Sequence, residues 1–146
     1  MRLLSKLLIF VLLATLLIPT NVKAATHVKT ERISFEDGSY IVSRITVVES
    51  RAINTKTGGA EYVYYSASDV KQWRATVTGT FTYDGTTATC TAVSTNFTVY
   101  ASGWALDSVS KYKSGNKAIG DFYISCSVWE TSVRVTLTCD KNGNLS

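Results

Sequence analysis

From Trp73 to Val93 the chain reads WRATVTGTFTYDGTTATCTAV, with polar and apolar residues alternating on both sides of an Asp-Gly pair. This alternation constrains the fold more than any other feature, because successive strand side chains point to opposite faces of a sheet. If Asp84-Gly85 forms a two-residue type I′ turn, Tyr83 stands opposite Thr86, Phe81 opposite Ala88 and Gly79 opposite Cys90. One face then carries Trp73, Ala75, Val77, Gly79, Phe81 and Tyr83 beside Ala88, Cys90 and Ala92. The other carries Arg74, Thr76, Thr78, Thr80 and Thr82 beside Thr87, Thr89 and Thr91. The pattern predicts a half-buried antiparallel hairpin with its threonines toward water.

The same alternation recurs between further turn signals, EDGS, KTGGA, SASD, ASGW, KSGNK and WETS. No amphipathic helical period persists over ten residues, and the single proline, Pro19, precedes all of these segments. The reading is an all-β chain of about seven or eight strands built from hairpins, either an antiparallel β-sandwich (immunoglobulin-like) or a small barrel. RISFEDGSYIVSRITVV reads as one hairpin, AEYVYYSASDVKQWRATV as another joined at Ser66 to Asp69, and WALDSVSKYKSGNKAIGDFYIS as a third. Beyond Ala92 the inward phase breaks, since Phe97 and Val99 fall on odd positions, which predicts a bulge near Thr95-Asn96. A last hairpin, with its turn centred on Glu130-Thr131, sets Phe122, Ile124, Cys126 and Val128 on the same face as Val133, Val135, Leu137 and Cys139.

Residues 1–24 stand apart: a basic start, an apolar run from Leu7 to Ile18, and a small-x-small site at Val22-Lys23-Ala24. They read as a secretory signal cleaved after Ala24, since about 12 apolar residues fall short of the roughly 20 a spanning helix needs. The expectation is one secreted, extracellular domain over residues 25–146, untethered to a membrane after cleavage and monomeric. The leader holds three of the 15 basic residues (Arg2, Lys6, Lys23) and none of the 11 acidic ones, so the net charge falls from +4 to +1 without it. A domain so near neutrality lacks the clustered basic footprint that nucleic acid requires.

Export implies an oxidising compartment, so Cys90, Cys126 and Cys139 read as one disulfide and one odd thiol. In the last hairpin's register Phe122 faces Cys139, which offsets Cys126 and Cys139 by about 13 Å, beyond disulfide reach. Cys90 takes one of them or stays free. Cys139 is the favoured partner, because Cys90 would face the uncrowded Gly79 and the link would close a loop of about 50 residues, worth roughly 4 kcal/mol. Cys126 then serves as a buried apolar filler.

YYSASDVKQWRATVTGTFTYDGTTATCTAVS and VRVTLTCDKNGNLS together resemble a group of small secreted β-rich proteins from Gram-positive, clostridia-like bacteria. The likeness covers most of the chain after the leader, and its motifs are structural. It implies that Cys90 and Cys139 are a pair and that Cys126 departs from the pattern, and it carries no activity.

His27 is the only histidine and lies near the start of the domain, so a His-dependent triad or multi-His metal site is unavailable. The carboxylates Glu36, Asp37, Asp69, Asp84, Asp107, Asp121, Glu130 and Asp140 fall mostly in turns or on outward positions, which reads as solvation. The expectation is therefore no enzyme, no metal and no cofactor. Three features suit binding. Tyr62 and Tyr64 of EYVYY, with Trp73, Trp104 and Trp129, supply rings that stack on sugars, with either the Tyr62/Tyr64 or the Val63/Tyr65 pair exposed. The threonine array could present a hydroxyl grid, although threonine is also an ordinary exposed strand residue. Lys111, Lys113 and Lys117 flank a turn, where lysines ordinarily guard strand edges. The resulting functional expectation is a non-catalytic binding or adhesion module contacting cell-wall or other polysaccharide. A secreted antagonist or toxin-like protein stands as the alternative, and a small carboxylate-dependent hydrolase ranks below both.

Overall fold

The computed structural model describes residues 26–48 and 52–146; the leader over residues 1–24 lies outside them. Eight strands follow one another: β1 (Thr26–Ser34), β2 (Tyr40–Val48), β3 (Thr55–Tyr65), β4 (Lys71–Tyr83), β5 (Ala88–Val99), β6 (Trp104–Ser114), β7 (Lys117–Cys126) and β8 (Trp129–Thr138). They form two antiparallel sheets, a five-stranded one in the order β1-β2-β3-β4-β5 and a three-stranded one in the order β6-β7-β8. The sheets pack face to face as a sandwich, β3 to β5 lying against the smaller sheet. Every hydrogen-bonded neighbour is also the next strand in sequence, so the connectivity is a plain meander without Greek-key crossovers.

The core fills the space between the sheets. Trp73, Ala75, Val77 and Phe81 of β4 meet Phe122 and Ile124 of β7 and Val135 and Leu137 of β8, all fully or almost fully buried. Two glycines set the spacing: a Cβ on Gly79 would stand 2.7 Å from the Phe81 ring and 2.8 Å from Ala118 Cβ, and one on Gly120 2.7 Å from Val77. Side chains larger than hydrogen there would push the layers apart.

The hairpin around Asp84-Gly85 keeps its predicted faces but not its register. Tyr83 pairs with Ala88 and Phe81 with Cys90, so the connection is a four-residue loop rather than a two-residue turn. The Asp84 carboxylate accepts hydrogen bonds from the backbone N–H of Thr86 (2.8 Å) and Thr87 (2.7 Å). An aspartate that bonds its own backbone two and three residues on stabilises the longer loop. The expected phase break is present but earlier, at Thr91, which bulges between Cys90 and Ala92. Ala92 is therefore exposed, and Val93, Thr95 and Phe97 take the inward positions. Gly79 consequently faces Val93, not Cys90.

The last hairpin also differs from expectation. Cys126 pairs with Trp129 and Phe122 with Val133, which puts the turn at Ser127-Val128 and leaves Val128 at 86% exposure. The two apolar sets still face the same side, because the slip leaves the odd-to-even pairing intact.

No disulfide links the cysteines, and all three are free thiols. Cys90 and Cys139 are nonetheless neighbours at the β6–β7 turn, where their N–H groups donate to the adjacent carbonyls of Gly115 (2.8 Å) and Asn116 (3.0 Å). Burial raises both thiol pKa values. Cys126 lies at the far end of the same sheet, ten residues along β8 from Cys139 or roughly 33 Å, and is half-buried rather than an interior filler.

Candidate aromatic binding cleft

The larger sheet is two strands wider than the smaller one, so β1 and β2 project beyond β8. Their inner face, opposite the unpaired edge of β8, bounds a groove. At the end nearest the β1–β2 turn it opens into a cleft of about 530 Å³. Tyr64 forms its floor with the buried Trp73 beside it, Phe35 and Ile41 line it from the larger sheet's β1–β2 end, and Trp129 and Val133 from β8. Glu36, Asp37, Ser39 and Thr131 supply polar groups. A concave, mostly apolar site with few polar groups is the ordinary form of a ligand pocket.

The rings are held by one another. Trp73 stacks on Tyr64 (5.4 Å between centroids) and on Phe97 (6.0 Å), while Tyr64 meets Phe35 edge to face at 6.5 Å. Trp104 lies behind them, edge to face with Tyr64 at 5.6 Å and with Trp129 at 5.3 Å. The Trp104 indole N–H donates to Gln72 Oε1 (3.0 Å), which fixes the ring's plane. Two rings remain available to a ligand: Phe35 is 45% exposed and Trp129 44%.

The β1–β2 turn is built as firmly as the floor. Asp37 Oδ1 accepts hydrogen bonds from Ser39 Oγ (2.6 Å) and Ser39 N–H (2.9 Å), and these hold its carboxyl below the ordinary aspartate pKa. Tyr40 donates its hydroxyl to Asp69 Oδ1 (2.9 Å), tying the start of β2 to the β3–β4 loop, and its ring stacks on Tyr65. Glu36 and Asp37 are the cleft's two carboxylates. Both come from this one turn, so they stand beside each other rather than on opposite flanks of a bound ligand, as paired glycosidase carboxylates do. Among the described residues no three of His, Cys, Asp and Glu converge on one point.

Of the expected binding residues, Tyr64, Trp73, Trp104 and Trp129 share this ring cluster. Trp73, the cross-strand neighbour of Tyr64, is only 1% exposed and holds the Tyr64 ring in place rather than offering surface to a ligand. Tyr62 faces the same groove lower down, in a smaller depression of about 160 Å³ with Ile45, Ala60, Thr136 and Ser146. The expectation that one of the pairs Tyr62/Tyr64 and Val63/Tyr65 is exposed is not met: Tyr62, Tyr64 and Tyr65 are half-buried and Val63 is buried, at 1%. Val42 and Arg74 are the strand neighbours that flank Val63 on the outer face, and Arg44 and Arg74 pair with Glu61 at 3.4 Å and 3.9 Å.

Phe35 was not legible as a site residue, whereas Trp129 was legible as one of the stacking rings but not as part of a cleft. Phe35 looked like a turn flank, and Trp129 is exposed only because the turn precedes it. The threonine face lies outside the larger sheet, remote from the cleft, with Thr57 and Thr80 hydroxyls hydrogen-bonded to each other at 3.0 Å. Lys111, Lys113 and Lys117 surround the β6–β7 turn at the opposite end of the smaller sheet, and Lys113 Nζ donates to Thr91 C=O at 3.1 Å. Comparison with protein-family models, curated proteins and solved structures finds no match to this chain.

Proposed function

We propose that the protein is an exported, non-catalytic binding or adhesion module that holds a cell-wall or other polysaccharide chain in the aromatic cleft. The observation that carries this reading is the pair of half-exposed rings, Phe35 and Trp129, lining one cleft together with Tyr64. Sugar rings present apolar C–H faces that stack on such side chains, and Glu36, Asp37 and Thr131 stand where hydroxyls need partners. Pre-packed rings lose little freedom on binding, which favours affinity.

Secretion follows from the leader, and in an oxidising compartment Cys90 and Cys139 form the staple. Two thiols then lose two hydrogens to a small disulfide oxidant such as oxidised glutathione, which leaves as two thiols.

The test is depletion of residues 25–146 from solution by insoluble polysaccharides and peptidoglycan sacculi at low and moderate salt. Retention that survives salt, and that weakens about tenfold in Phe35→Ala or Trp129→Ala, supports the reading. Equal retention of the variants, or none of the wild type, refutes it.

A further inference from the structure

Among the described residues the two sheets present four edge strands, β1, β5, β6 and β8. Three of them are interrupted: β1 at Val28, β5 at Thr91 and β6 at Asp107 each carry an extra residue that breaks the register. Bulges of this kind twist an edge away from further pairing. The fourth, β8, runs from Trp129 to Thr138 in unbroken register with β7.

Its outer flank is identified by the hydrogen bonds at its end. Thr138 N–H donates to Ser146 C=O (2.8 Å) and Ser146 N–H to Thr138 C=O (2.9 Å). Thr138 thus points both main-chain groups away from β7. With no bulge in between, Thr136, Arg134, Ser132 and Glu130 do the same. No hydrogen bond to the main chain of these four is found on that flank among the described residues.

The molecule itself demonstrates how the flank is filled. Leu145 bridges antiparallel to Cys139 and sinks its side chain, 7% exposed, against Gly58 of β3. Beyond Ser146 the slot continues upward between β8 and the projecting β2, floored by Ile45, Ala60 and Tyr62.

We infer that the open flank of β8 is a docking site for an extended peptide segment, which adds antiparallel as a fourth strand of the smaller sheet. Its alternate apolar side chains pack on Ile45, Ala60 and Tyr62. Only a peptide main chain offers acceptors and donors at the spacing of this row. A second copy paired through β8 would carry its own five-stranded sheet into the layer that β1 and β2 occupy, so the slot fits one strand. The inference goes beyond the polysaccharide reading and is independent of it, resting on main-chain groups rather than on Phe35 and Trp129.

The experiment is amide hydrogen exchange on residues 25–146 with and without a blocked heptapeptide of alternating threonine and valine. A second form of the peptide is N-methylated on alternate residues. In the free protein Ser132, Arg134 and Thr136 amides exchange fast while Val133 and Val135 are protected. The peptide slows the three by about tenfold or more, and the methylated form does not. Ser132→Pro removes only an outward N–H, which an edge strand tolerates, and abolishes the effect. Should that variant fail to fold, the methylated peptide alone decides. Unchanged exchange at the three amides with millimolar peptide, or equal protection by the methylated form, overturns the inference. Phe35→Ala separates the two sites, lowering polysaccharide retention while leaving peptide protection at Arg134 and Thr136.

Discussion

At the scale of single residues, carboxylates acting on nearby backbone and side-chain groups shape the loops. Asp37, Asp84 and Asp140 each accept hydrogen bonds within their own turns, and Asp121 is held by the Arg134 guanidinium at 2.6 Å. All four have pKa values lowered from the ordinary 3.8, through Ser39, Thr87, Asn144 and Arg134 respectively. A depressed pKa means the folded state binds fewer protons than the unfolded chain, so the stabilisation is present above the unfolded value. It is lost as pH falls through the folded one. Thermal unfolding is therefore expected to be flat down to about pH 5 and to decline below the ordinary carboxylate pKa. The combined Asp37→Asn, Asp84→Asn and Asp140→Asn variant shows a shallower acid decline, as differential scanning calorimetry across pH would record. Gly79 carries a different kind of constraint. Gly79→Ala sets a methyl against Phe81 and Ala118 and costs about 1–3 kcal/mol in denaturant unfolding, the usual range for overpacking.

At the scale of elements, the sequence was informative wherever one face of a strand is buried. The sorting of Trp73, Ala75, Val77 and Phe81 from Thr76, Thr78 and Thr80 follows from period two alone, and the three hairpins read from EDGS, SASD and KSGN are present. Turn geometry was less legible, because it depends on which side chain bonds the backbone. Asp84 favours a four-residue loop over the type I′ turn that its dipeptide suggests, and Ser127-Val128 turns where WETS seemed the stronger signal. Slips by an even number of residues leave faces unchanged, which is why the core survived errors of register. They do move strand ends, and that is why the place of Trp129 at the start of β8, beside the cleft, was not legible. The expected bulge was legible only as a change of phase; its place at Thr91 depends on the packing of Cys90 against the β6–β7 turn. Phe35→Ala and Trp129→Ala are expected to alter polysaccharide retention without altering the melting temperature by more than a few degrees. Both rings stand half in water, and their truncation opens no enclosed cavity.

For the whole molecule, the two sheets are joined in sequence only by the β5–β6 crossing, and the segment after β8 closes the end opposite the cleft. Gly143 there would carry a Cβ only 2.5 Å from the Tyr83 ring, and Leu145 is buried. A Cys90–Cys139 bond would fasten that end to the larger sheet. Protein recovered from an oxidising medium is expected to weigh two hydrogens less than the reduced chain. It should lose up to about 4 kcal/mol of stability on reduction, the loop-closure value for a link of this length. Equal mass before and after reductant would contradict the pairing. Neither the groove nor its overhang was legible in the sequence, because alternation specifies faces but not how many strands of one sheet the other covers. The central claim is that ligand sits between Phe35 and Trp129, and its most direct test is a titration of isotopically labelled protein with soluble fragments of a retained polysaccharide, read by NMR. The account predicts shifts concentrated on the Trp129 and Trp104 indole N–H and on the Phe35–Ser39 turn. Shifts confined to the Thr76–Thr82 face or to Lys111–Lys117 would contradict it.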